Sequence, residues 1–166
     1  MTTTMDFHGW RFRIDRERTA AAYAASQRRG AEDCSCAWCR NLVVQRSGEY
    51  PHELRSFLEA VGVDPFKEAG TYAPGPLGDG YTHNEGWWHF IGEVEAMGES
   101  PIRIAAKPTG QSKNWQLYFL AGIVDEKLDE LPLTPLVQVQ YSVRLAWVLN
   151  EPDPYEPDPS EPDPWM

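Results

Sequence analysis

The apolar residues change their spacing near residue 65. Before that point Leu54, Phe57, Leu58 and Val61 fall at i, i+3, i+4 and i+7, the period of one helix face, with Pro51 suited to a first helical position and Gly62 to a stop. The stretch Arg16–Arg29, RERTAAAYAASQRR, is rich in strong helix formers, follows Asp15 as a cap and precedes Gly30, a residue that readily takes the left-handed conformation ending a helix. A further helix is expected from about Asp33 to Gly48, with Trp38, Leu42 and Val43 apolar. Residues 7–14, FHGWRFRI, alternate in part and read as one short strand ahead of these helices. After Asp64-Pro65 the pattern turns strand-like over Glu68–Ala73, Tyr81–Glu95, Ile102–Lys107 and Asn114–Val124. The strongest alternation comes last: Val137, Val139, Tyr141, Val143, Leu145, Trp147 and Leu149 are apolar while Gln138, Gln140, Ser142 and Arg144 stand between them. Helices first and hairpin-linked strands later predict an α+β fold, with the N-terminal helices packed on one face of a mainly antiparallel sheet.

Composition changes this picture at the C-terminus. Residues 151–166 read EPDPY EPDPS EPDPW M, three copies of one five-residue unit. Each proline fixes its own φ and pushes the preceding acid to extended geometry, so the segment is expected to be an extended or disordered arm outside the core. Residues 1–150 are then the single globular domain. The repeat differs only at Tyr155, Ser160 and Trp165, and Trp165 is a candidate anchor for a partner groove.

Six of the 25 acidic residues lie in that arm, so much of the formal charge of -10 is local to it. The rest is uneven: residues 1–46 hold eight arginines against five acids, whereas 47–150 carry an acidic excess. Eight arginines spread over two or three elements fall short of the concentrated basic face of a nucleic-acid domain, which disfavours nucleic acid as a partner. The acidic second half instead suits contacts with another protein. No apolar run approaches the roughly 20 residues of a membrane span, and the N-terminus lacks a basic region followed by an apolar stretch, so a cytoplasmic protein is expected.

Reactive groups gather at one place, CSCAWCRN, where Cys34, Cys36 and Cys39 lie within six positions. With a helix starting near Ser35, Cys36 and Cys39 share one face and Cys34 sits at its end, so three thiolates could converge on one ion, zinc being the candidate; the alternative is that some of these cysteines pack as small buried hydrophobes. The fourth ligand is open among His8, His52, His83, His89 and water. The helix dipole and Arg40 would stabilise the thiolates. The same Cys36-Ala37-Trp38-Cys39 unit is also a CxxC at a helix start, the layout of thiol oxidoreductases, although a helical stretch rather than a strand precedes it.

Trp87, Trp88, His89 and Phe90 alternate between two faces, so at least half of them belong to the core. If Asn84-Glu85-Gly86 forms a turn, His83 approaches His89 across a hairpin; on one continuous strand the two are about 20 Å apart. No Walker A loop, complete GxGxxG, GxSxG elbow or HExxH helix is present, which removes support for the common nucleotide, hydrolase and metalloprotease routes.

CxCxxCRNL, YPHEL, FLEAVGVDPFKEAG, GWWHFIGEVE and AWVLNEP together resemble a small bacterial family of uncharacterised proteins over about residues 34–152. The resemblance implies an independent folding unit and no particular activity. The expectation is a non-enzymatic protein-interaction domain, of adaptor or immunity type, with a cysteine metal site; the alternative is a thiol-dependent oxidoreductase using Cys36 and Cys39.

Overall fold

The computed structural model describes residues 1–122 and 125–154. The chain is α+β, as its hydrophobic spacing predicts. Seven strands form one mainly antiparallel sheet: β1 Thr3–Phe7, β2 Trp10–Ile14, β3 Gly70–Pro76, β4 Tyr81–Ala96, β5 Ile102–Ile104, β6 Ser112–Ala121 and β7 Leu136–Ala146. Their order is β1-β2-β4-β7-β6-β5, with β3 also on β4. The helices are α1 Arg16–Ala25, α2 Ala37–Glu49 and α3 His52–Ala60, and a 3-10 turn spans Gly30–Asp33.

The inner sheet face follows the alternation of the last strand, with Val137, Val139, Tyr141, Val143 and Leu145 all buried. Trp88 and Phe90 of β4 and Trp115, Leu117 and Phe119 of β6 join them. Tyr50, at the end of α2, meets Trp88 and Trp115 edge-on, and Phe57 of α3 packs against Phe90 and Phe119. The helices α2 and α3 therefore cover this face.

Several expected boundaries move. Residues 7–14 are not one strand: His8 and Gly9 take positive φ and turn the chain between β1 and β2. The first helix ends at Ala25, and Gly30 opens the 3-10 turn instead of closing that helix. Pro51 is the N-cap of α3 and not its first residue. Asn84-Glu85-Gly86 does not turn; β4 runs through it, paired with β7 from Tyr81↔Ala146 to Ile91↔Leu136. Trp147 and Leu149 fall past the end of β7 and are only partly covered.

β4 is longer than any partner, and its neighbours change along it. β3 pairs with its residues 82–87 and β2 with residues 92–96. Between these pairings the backbone groups of His89 and Ile91 bond to side chains and a cap. The Tyr23 hydroxyl donates to the His89 carbonyl at 2.9 Å and accepts from its N–H at 3.2 Å. Thr19 Oγ1 accepts from Ile91 N–H at 3.0 Å, and Asp15 N–H donates to the Ile91 carbonyl at 2.9 Å. Thr19 and Tyr23 stand at i, i+4 on α1, so one helix face satisfies what a strand would otherwise satisfy.

The outer face is not wholly wet. His89 is fully buried there, its Nε2 bonded to Gln138 Oε1 at 2.9 Å, and Gln138 donates to Asp125 at 2.9 Å. Burial pushes the His89 imidazole down to about 4, and its Nδ1 has no hydrogen-bond partner. The tail also departs from expectation at its start: Asp153 is buried and held against the body. Tyr155, Trp165 and the rest of residues 155–166 lie outside the described residues.

Candidate metal centre

The three cysteines come together where the 3-10 turn passes into α2. Cys34 closes the turn, its N–H donating to the Ala31 carbonyl at 3.2 Å. Cys36 is the N-cap of α2, with Sγ accepting from Cys39 N–H at 3.5 Å, and Cys39 is the third helical residue. A helix beginning near Ser35 would place Cys36 inside the helix; it begins two residues later, and Cys36 takes the role usually filled by Ser or Asp. All three Sγ atoms lie within 4.8 Å of one another, close enough to hold a metal ion.

The loop carrying the thiols is fixed from beneath by a buried ion pair absent from the sequence reading. Arg46 Nη1 donates to both carboxylate oxygens of Glu68, at 2.9 and 2.7 Å, and its Nη2 reaches Glu32 at 3.0 Å. Glu68, 2% exposed, also accepts from the Tyr50 hydroxyl at 2.6 Å and from Ala31 N–H at 3.0 Å. The 3-10 turn is thus held at a backbone amide and at Glu32. Gly30 is required there: its φ is +63°, and a Cβ would lie 1.8 Å from Glu68 Oε2.

The thiols differ in environment. Cys34 is exposed, and its thiol is held below the ordinary value by the Cys36 amide and then by hydrogen bonds from Cys36 and Cys39. Cys39 is buried against Thr71 of β3, with Sγ 3.4 Å from Oγ1, and burial pushes its thiol up to about 12. Arg40, expected beside the thiolates, donates its Nε to the Ser35 carbonyl at 3.1 Å and pairs its guanidinium with Glu151.

The cluster opens onto a cleft of about 560 Å³, floored by Glu68 and walled by Trp38 of α2, Thr71 and Tyr72 of β3, and Trp87 of β4. That volume lies within the range of about 300–1,000 Å³ typical of small-ligand sites. None of the four histidines joins the cysteines in the cluster. His8 pairs with Glu53 and Glu99, His52 with Ser56, His83 with Ser142, and His89 with Gln138. His83 and His89 lie on one continuous strand, so the hairpin approach does not occur. Trp87 faces outward, its indole N–H donating to the Glu126 carbonyl at 2.9 Å, while Trp88 and Phe90 are core. No helix in the described residues is long and apolar enough to cross a membrane.

No family model, curated protein or solved structure matches this chain.

Proposed function

We propose that the chain is a non-enzymatic zinc-binding protein in which Cys34, Cys36 and Cys39 supply three thiolates and the fourth position faces the cleft. The observation that carries this reading is the mutual approach of the three sulfurs within 4.8 Å at a helix N-terminus. Thiolate donors suit zinc, and a three-residue set leaves one position for water or an incoming donor. The helix dipole favours the negative charge that three thiolates bring to that end of α2. Binding releases thiol protons, Cys39's above all, so affinity rises with pH. A protein-interaction role of adaptor type fits this reading, with the ion bracing the loop between the 3-10 turn and α2 against β3.

Thiol–disulfide exchange is the second reading, favoured by the Cys36–Cys39 contact. There the two thiols would be oxidised to one disulfide while a substrate disulfide is reduced to two thiols. Cys34→Ser separates the readings, because it removes a metal ligand but neither exchanging sulfur. Elemental analysis of untagged protein purified without oxygen is expected to find about one zinc per chain in the wild type and none in Cys34→Ser. Metal-free wild type with three titratable thiols overturns the zinc reading. Disulfide-exchange activity retained in metal-free Cys34→Ser supports the second.

A further inference from the structure

The tail ends in three copies of Glu-Pro-Asp-Pro, and the first is seated on the start of α2. Glu151 pairs with Arg40. Asp153 Oδ1 accepts from the Trp38 indole N–H at 3.2 Å, and the Glu151 carbonyl accepts from the Trp147 indole N–H at 2.7 Å. Asp153 is 7% exposed, so its carboxylate is held in contact with the body and not merely solvated beside it. Trp38 and Arg40 are the second and fourth residues of a 13-residue helix, where the dipole also favours acidic groups.

We propose that the Trp38–Arg40 face of α2 is a binding site for the Glu-x-Asp unit of an extended, proline-spaced acidic peptide, and that the three tail repeats are interchangeable ligands for it. Among the described residues, Glu151 and Asp153 reach the body through their two acidic side chains and one carbonyl, groups that every repeat carries. Glu156-Pro157-Asp158-Pro159 and Glu161-Pro162-Asp163-Pro164 repeat those groups at the same spacing. Proline at every second or third position pre-sets the extended form, so little ordering entropy is lost on docking. Seating the second repeat doubles the connection from the end of β7, a loop-closure cost that lowers its occupancy about threefold relative to the first. Loss of one repeat is therefore covered by the next, and an acidic peptide from outside competes against three tethered ligands. This site is independent of any metal. Because Trp38 also walls the cysteine cleft, the seated repeat forms part of one rim of that cleft.

The test uses the full chain and the Trp38 indole N–H resonance, assigned with Trp38→Phe. Glu151→Gln with Asp153→Asn is expected to leave that resonance close to its wild-type position, because the second repeat takes the seat. Neutralising all six acids of residues 151–166 in the same way is expected to shift it, and a synthetic EPDPSEPDP peptide is expected to return it saturably. Arg40→Ala in that six-site variant is expected to weaken the peptide titration at least fivefold. The proposal is overturned if the two-site variant already matches the six-site variant, if the six-site variant matches wild type, or if the peptide leaves the resonance unmoved.

Discussion

The layer between helices and sheet is held differently at its two ends. Under the β1–β2 hairpin it is made of rings: Phe7, Trp10, Phe12, Phe57, Phe90 and Phe119 meet with centroids 4.5 to 6.2 Å apart. Under the cysteine loop it is made of Arg46, Glu68, Tyr50 and the Ala31 amide, joined by short hydrogen bonds. Ring packing tolerates sliding and gains mainly from area removed from water, whereas the ion pair holds only in one geometry. The difference teaches that two ends of one layer constrain the chain in different ways: the aromatic end by area removed from water, and the ionic end by a single geometry beneath the thiols.

The sharpest test sets Glu68→Ala against Phe57→Ala. Each is expected to cost about 3–5 kcal/mol in denaturant unfolding, the first by removing the buried partner of the Arg46 charge and the second by leaving a cavity. Only Glu68→Ala is expected to raise the alkylation rate of Cys39 in the metal-free protein under native conditions, by tenfold or more, as read by mass spectrometry. Equal Cys39 labelling in both variants would break the distinction between the two ends.

A smaller effect concerns two histidines with opposite signs. His89, held neutral by burial with a folded value near 4, binds fewer protons folded than unfolded between there and its ordinary 6.5. Its contribution to stability is complete above pH 6.5 and declines as pH falls toward 4, by at most about 1.4 kcal/mol per pH unit. His89→Gln is expected to flatten that acid limb in urea midpoints measured from pH 7 to 4.5; an unchanged slope would sink the assignment. The smallest effect belongs to His8 at the hairpin turn, raised by its hydrogen bond to Glu53 with help from Glu99. Its stabilisation is present below 6.5 and is lost as pH rises through its elevated folded value. His8→Asn, which tolerates the φ of +47°, is expected to remove the small loss of stability seen as pH rises above 6.5 and to leave the slope below 6.5 unchanged. A changed slope below 6.5 with none above it would contradict the assignment.

Elements whose own pattern determines their burial were legible in the sequence: α3 from its four periodic residues, β7 from its alternation, and the split of Trp87 and His89 from Trp88 and Phe90. β1 was not, because Thr3, Thr4 and Asp6 of an edge strand are exposed and carry no apolar alternation. The cysteine cluster was visible from spacing alone. Its support was not, since Arg46 and Glu68 are 22 positions apart and each reads as an ordinary surface charge. Gln138 falls on the face that alternation marks as wet, and its burial there goes with hydrogen bonds to His89 and to Asp125 of the loop before β7. The seat of the first tail repeat depends on Trp38 and Arg40 meeting residues more than 100 positions later, which local pattern does not encode.

The hydroxyls of Thr19 and Tyr23 also bear on how copies of this chain avoid one another. Between β3 and β2, the strand β4 would otherwise present bare N–H and C=O groups to any extended segment, a template for edge-to-edge growth into aggregates. α1 plugs that template with two side chains and a cap, without needing an eighth strand. One face of α1 thereby acts as the guard of the fold against fibrous self-association during refolding at high concentration.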